Sequence, residues 1–97
     1  MLNQKDILYT IKQYKEKYAQ EYGIEEIGIF GSYAKNSATP NSDVDIYVKL
    51  KKANLFLLSK ILIELEELLG IQTDIVQLRD RMNLSLKKHI EQEAISA

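Results

Sequence analysis

The chain has 97 residues, a formal net charge of −1 and no cysteine. This length suits a single core, so we expect residues 1–97 to form one domain that borrows part of its substrate recognition from a partner. The lack of cysteine excludes disulfides, thiolate metal sites and a cysteine nucleophile. The near-neutral charge argues against direct nucleic-acid binding, which needs a broad basic surface.

The hydropathy pattern indicates the cellular location of the protein. The segment before residue 7 is polar, where a signal peptide would be apolar. No apolar run approaches the roughly 20 residues that a membrane-spanning helix needs. We therefore expect a cytoplasmic protein with no membrane contact.

The first third of the chain predicts a helix and a buried strand. Apolar side chains recur every three or four residues from 6 to 22, which predicts an amphipathic helix that ends at Gly23. Its tyrosines have the spacing of core and rim residues, which we prefer to a platform for stacking bases. Residues 24–30 form a short β-branched run between glycines and predict a strand.

A turn, a loop and a second strand follow. Gly31 and Ser32 begin a brief helical turn, and residues 36–42 have loop composition with the only proline of the chain. Apolar and polar residues then alternate from 44 to 50, which predicts a strand. Asp45 lies on the polar face of this strand, and Asp43 shares that face.

The rest of the chain predicts two helices and a third strand. A helix is predicted from the N-cap Asn54 to Leu69, and its leucine stripe is more typical of a helix covering a sheet than of a coiled coil. Residues 71–78 predict a strand that carries Asp74, and residues 84–95 predict a weakly amphipathic helix. We expect an α/β (α+β) domain: a small mixed sheet of three strands, with helices mainly on one face and the active site on the other.

Three acids in this arrangement predict a metal site. Asp43 and Asp45 are two residues apart, so their side chains point the same way, and Asp74 on a neighbouring strand can join them. Crowded carboxylates repel one another, and a bound cation relieves this repulsion. Oxygen ligands without cysteine favour Mg²⁺ over zinc, with Mn²⁺ as the alternative and two ions expected.

The Gly31-Ser32 turn predicts a phosphate site. Glycine allows close approach of the backbone, and amides at the start of a helical turn point their N–H groups at an anion. Ser32 adds a hydroxyl donor and Lys35 a positive charge. The stretch lacks the Gly-Lys-Ser/Thr ending of a P-loop.

Each motif taken alone has an ordinary structural interpretation. A Gly-Ser pair after a strand is usually a turn, an Asp-x-Asp pair is often solvated or caps a turn, and Asp74 alone is typical of an exposed strand. Their order and spacing together favour a functional site. His89 has no acidic or serine partner in a motif, so we interpret it as a surface or packing residue.

These motifs carry a resemblance to a known family. Residues 31–36 read Gly-Ser-Tyr-Ala-Lys-Asn, residues 42–46 read Ser-Asp-Val-Asp-Ile, and residues 73–76 read Thr-Asp-Ile-Val. The chain thereby resembles the DNA polymerase β-like nucleotidyltransferase superfamily, and over nearly its whole length the minimal nucleotidyltransferase (MNT) proteins. Lys35 and Asn36 stand where the family pattern has arginine and glycine, and lysine lacks the bidentate fork of arginine.

The resemblance implies an antitoxin with an enzymatic activity. MNT proteins are commonly partners of a HEPN-domain ribonuclease toxin, and they move AMP from ATP to a tyrosine hydroxyl of that toxin. Carried over, Asp43, Asp45 and Asp74 hold the metal ions and form the catalytic centre, with Asp74 acting as or positioning the base. The nucleotide-binding candidates are Gly31, Ser32, Lys35 and Ser42.

Two other functions remain open from the sequence. The chain can be a non-catalytic antitoxin that silences its partner by stoichiometric binding. It can also be a nucleotidyltransferase for a small molecule or RNA, although such enzymes usually carry an additional helical domain for the acceptor. The sequence leaves open whether the protein is a homodimer or a hetero-oligomer with the toxin.

Overall fold

A computed structural model describes residues 3–79, 82 and 84–97. Within these ranges the helices are α1 (Gln4–Tyr22), α2 (Gly31–Ala34), α3 (Leu55–Leu69) and α4 (Leu84–Glu93). The strands are β1 (Ile24–Phe30), β2 (Val44–Leu50), β3 (Thr73–Gln77) and β4 (Ile95–Ser96). None of the described helices has the length and apolar character needed to cross a membrane.

The strands form one mixed sheet in the order β3-β2-β1-β4. Strand β1 is antiparallel to β2 and to β4, whereas β2 and β3 are parallel. The mixed α/β fold agrees with the prediction, but the predicted number of three strands is wrong. The last helix ends at Glu93 rather than at residue 95, and Ile95 pairs with Ile29 of β1.

Local sequence signals explain the ends of the long helices. The side chain of Asn3 accepts a hydrogen bond from the Asp6 amide, so α1 begins two residues before the predicted start. Asn54 caps α3 in the same way through the Leu57 amide, as predicted. Gly23 and Gly70 follow the two helices with φ of 68° and 71°, a left-handed conformation that favours glycine.

The main core lies between one face of the sheet and helices α1 and α3. Its fully buried side chains come from both helices and from the two central strands: Ile7, Ile11, Ile27, Ile29, Val44, Ile46, Val48, Ile61 and Leu65. Alternation along β2 directs Val44, Ile46 and Val48 into this core and leaves Asp45 on the opposite face. The core therefore fixes which face of the sheet carries the acid.

Helix α4 packs against the opposite face of the sheet. Ile90 of α4 and Tyr47 of β2 are buried outside the main core, and both line a cavity of about 280 Å³. The ring of Tyr47 lies over Gly28, its register partner on β1, where a side chain would collide with the ring. The Tyr47 hydroxyl donates to Glu26 over 3.0 Å, and burial is the main cause that raises the pKa of Tyr47 to about 12.

Candidate active site

The three predicted acids lie at one end of the sheet. Asp45 is the second residue of β2, and its Cα is the register partner of the Asp74 Cα on parallel β3. Asp43 immediately precedes β2. Asp43 and Asp74 are exposed, whereas Asp45 is half-buried between neighbouring strands. The fold therefore brings Asp45 and Asp74 side by side, as the strand pattern predicts.

The negative charges of these three acids repel one another. Burial raises the pKa of Asp45, and the negative charges of Asp74 and then Asp43 raise it further. The two neighbours thus act on Asp45 in the same direction, because ionising it adds a third negative charge to the group. Such a group is stabilised when a cation joins it.

Asp74 is held by its own strand. Its Oδ1 atom accepts a hydrogen bond from the Ile75 amide at 3.0 Å. Because β3 is an edge strand, this contact satisfies a backbone group beside the site. One carboxylate oxygen of Asp74 is therefore fixed by the backbone while the residue stays accessible.

Gly31 begins the predicted phosphate turn (residues 31–35) and connects it to the acids. It follows β1 directly, and the last residue of that strand, Phe30, is the register partner of Asp45. A Cβ atom at Gly31 would overlap the Asp45 carboxylate, and the backbone has a φ of +72°. Two features favour glycine here: the left-handed backbone, and the Asp45 carboxylate, which would have to move to admit a Cβ atom. Sequence reasoning assigned it only the approach to a phosphate.

The short helix α2 is tied down at its C-terminal end. The side-chain amide of Gln4 donates to the carbonyls of Tyr33 and Ala34, both at 2.9 Å. Asn36 then has a φ of 58°, so a position where the family pattern has glycine is left-handed. Asparagine is among the few other residues that adopt this conformation readily. The role of Gln4 was missed because nothing local in the sequence connects it to this turn.

Two further candidates make contacts within the protein. The Lys35 ammonium lies 3.0 Å from Oε1 of Glu93, the last residue of α4. The hydroxyl oxygen of Ser42 accepts from the Thr39 amide at 2.9 Å and so closes the loop before β2. Ser32 occupies the second position of α2, where backbone amides have no partner within the helix.

Glu93 also contacts His89, which lies one turn earlier on α4. Nε2 of His89 is 2.9 Å from Oε2 of Glu93. Motif reasoning found no acidic partner for His89, since the pair appears only when residues 84–93 are placed on a helix. The spacing of four residues was the available signal.

The acids can be compared with the needs of a divalent cation that binds together with a phosphate. Among the described residues, no group of three or more His, Cys, Asp and Glu side chains is arranged to hold a metal ion. Mg²⁺ at nucleotide sites usually takes only one or two carboxylates and completes its shell with phosphate oxygens and water. Asp45 with Asp43 or Asp74 supplies that number of carboxylates. Burial and the two neighbouring acids raise the pKa of Asp45, so its ionised form is disfavoured in the absence of a cation.

Comparison with known proteins agrees with this geometry. The family model described as "Polymerase beta, Nucleotidyltransferase" matches residues 10–96. The protein adenylyltransferase MntA of Thermococcus cleftensis is 37% identical over 94 residues, which cover 93% of this chain and 87% of that protein.

Two solved structures share the fold. A structure assigned to a minimal nucleotidyltransferase has a TM-score of 0.78 at 26% identity and covers 97% of this chain and 95% of its own. The complex of the tri-AMPylated Shewanella oneidensis HEPN toxin with MNT antitoxin gives a TM-score of 0.71 at 19% identity, covering 96% of this chain and 70% of that chain. At that identity, the second comparison supports the fold alone.

Proposed function

The chain belongs to the polymerase beta nucleotidyltransferase family, and from that premise we propose that it transfers AMP from ATP to a hydroxyl group of a partner protein. The membership confirms the family predicted from the three motifs. The observation that carries the proposal is the position of Asp45, which packs against Gly31 on one side and pairs with Asp74 on the other. The phosphate turn and the acids thus form one continuous site.

In this proposal Asp43, Asp45 and Asp74 supply the metal ligands: Mg²⁺ would be held by Asp45 with Asp43 or Asp74, together with oxygens of the triphosphate. When bound, the metal neutralises phosphate charge and lowers the pKa of the attacking hydroxyl. The backbone N–H groups at Gly31 and Ser32 bind the phosphate oxygens, and Lys35 adds a positive charge one turn later. Ser42 contributes by closing the loop that places Asp43.

Asp74 takes the proton in the transfer step. Its Oδ1 is engaged with the Ile75 amide, so Oδ2 is the atom available to the acceptor hydroxyl. The hydroxyl oxygen forms a bond to the α-phosphorus of ATP, and the bond from that phosphorus to the bridging oxygen of pyrophosphate breaks. Pyrophosphate leaves with the bonding electrons, and the acceptor carries AMP.

The partner in this proposal is a HEPN-domain toxin, modified on a tyrosine in the cytoplasm. The name of the Thermococcus cleftensis relative supports a protein acceptor, since it describes a protein adenylyltransferase. In the Shewanella oneidensis complex, a protein of the same fold, an MNT antitoxin, is bound to an AMP-bearing HEPN toxin, and the proposal extends that pairing to this chain. Silencing of the toxin by AMP transfer makes this chain the antitoxin.

A ribonuclease assay tests this function. A HEPN-domain protein from a neighbouring gene is incubated with this chain, ATP and Mg²⁺, and its cleavage of RNA is followed. We expect loss of cleavage with the native chain and full cleavage with the double variant Asp43→Asn, Asp45→Asn. Equal silencing without ATP, or by the double variant, would contradict the enzymatic proposal and identify a stoichiometric binder.

A further inference from the structure

A cluster of three polar side chains, Lys35, His89 and Glu93, joins helix α4 to the phosphate turn. Glu93 lies between the Lys35 ammonium, 3.0 Å from one of its carboxylate oxygens, and the His89 ring, 2.9 Å from the other. The Glu93 side chain is 27% exposed and that of Lys35 is 49% exposed, so the acid is the more enclosed partner. The contact joins elements that are far apart in sequence.

The positions of these residues suit a support for the nucleotide site. Lys35 is the C-cap of α2, one turn after Gly31, and its amide donates to the Gly31 carbonyl. Glu93 is the last residue of α4 and is followed by β4, which pairs with β1. Glu93 is therefore anchored through the sheet to the strand that leads into the phosphate turn.

We propose that Glu93 is a positioning residue of the nucleotide site, which holds the Lys35 ammonium ready for a phosphate oxygen. This inference rests on the proposed function, because it assumes that Lys35 meets the triphosphate. An ammonium group has three N–H donors, and the contact with Glu93 occupies one of them. The others remain for the phosphate, so Lys35 binds the acid and the nucleotide together.

Lysine needs such a support more than arginine does. Arginine presents a rigid planar fork that matches two phosphate oxygens, whereas lysine carries a point charge on a flexible four-carbon chain. Holding that chain before the nucleotide arrives reduces the conformational freedom that is lost on binding. Glu93 thus compensates for lysine at position 35, and the two residues act as a coupled pair.

Binding of Mg²⁺ and the non-hydrolysable analogue AMP-PNP, measured by calorimetry, tests this role. We expect Glu93→Gln to raise the Kd about fivefold, the range of a partly exposed ion pair. In the Lys35→Met background the same change should have no further effect, because the group that it positions is gone. Glu91→Gln is the matched control, since it removes the same charge from the same helix at an exposed position.

A kinetic measurement distinguishes lost positioning of Lys35 from a folding defect in the Glu93→Gln variant. Glu93→Gln should raise KM for ATP in the AMP-transfer reaction while kcat stays within about twofold, as expected for lost ground-state binding. An unchanged or lower Kd in Glu93→Gln, or additive effects in the double variant, would overturn the inference and leave the proposed function intact. If the native chain itself bound no nucleotide, the proposed function would fail and the inference with it.

Discussion

The ionised side chain of Asp45 is required by the proposed function but lowers the stability of the free fold. Its backbone is fixed by pairing with β1 and β3, and its side chain is enclosed by Gly31 and faces the charge of two other acids. Burial, and then the negative charges of Asp74 and Asp43, raise the pKa of Asp45 and so raise the free energy of its ionised carboxylate in the absence of a cation. A bound metal ion would stabilise this ionised carboxylate.

Replacing Asp45 by Asn should therefore separate stability from activity. We expect AMP transfer to fall on the order of a thousandfold, because the proposed metal ligand is lost. The melting temperature of the free protein at pH 7 should rise, since a half-buried charge and its repulsion by Asp74 and Asp43 are removed. Both can be followed on the same sample, by transfer assay and by thermal melting.

The pH dependence of this gain follows from the raised pKa of Asp45. The pKa of Asp45 is higher in the folded state than in the unfolded state. At pH values above the folded-state pKa, ionised Asp45 therefore lowers the free energy of unfolding. At pH values below the unfolded-state pKa, this loss of stability disappears. The Asn variant should match the native protein in acid and exceed it at neutral pH. A variant that melts lower than the native protein at pH 7 would show that the carboxylate stabilises the fold.

Gly31 offers a second test at the residue scale. Gly31→Ala should destabilise the fold more than Gly70→Ala, measured as the free energy of unfolding in urea. Both positions have nearly the same φ, 72° and 71°, but a Cβ at Gly70 meets nothing within 4 Å whereas one at Gly31 overlaps Asp45. Gly70→Ala should cost roughly 1 kcal/mol for the left-handed backbone alone.

The difference between the losses of unfolding free energy in Gly31→Ala and Gly70→Ala measures the packing of Asp45 against the turn. We expect it to be about 1 kcal/mol or more, as for other overpacked sites. Equal costs would mean that the Asp45 side chain moves aside freely, and that the turn and the acid are not held together as described.

At the scale of elements, the strand that carries Asp45 can be predicted from the sequence, whereas β4 and the placement of α4 cannot. Alternation along residues 44–50 is enough to place Asp45 on the face opposite the core, since the period of two allows no other choice. The two residues of β4 are too few to show any alternation, so a helical pattern was extended over Ile95. The contact between Lys35 and Glu93 depends on how α4 crosses the sheet, which no local signal records.

Gly28 controls the docking of β4. A Cβ at this position would lie 2.6 Å from the Tyr47 ring and would also overlap the Ile95 carbonyl. Gly28→Ala should therefore loosen β4 and cost about 1–3 kcal/mol of stability. Hydrogen exchange of the Ala97 amide, which donates to the Ile27 carbonyl, should become faster. Unchanged exchange would show that β4 is held by something other than the fit over Gly28.

At the scale of the whole molecule, one face of the sheet packs against the main core and the other carries the proposed active site. Helices α1 and α3 bury the apolar face, and α4 reaches across the other face to the phosphate turn. The family and the mixed fold could be predicted because the three motifs lie on strands and a turn with strong local patterns. The packing of Gly31 against Asp45 could not, because it depends on the register between β1 and β2.

The central claim is that this chain moves AMP onto a protein hydroxyl, and intact-mass measurement of the partner tests it most directly. A HEPN-domain protein from a neighbouring gene is weighed after incubation with ATP, Mg²⁺ and either the native chain or the Asp43→Asn, Asp45→Asn variant. We predict a gain of one or more adenylate units with the native chain and none with the variant. An unchanged partner mass with the native chain, in a complex that still silences the toxin, would contradict the account.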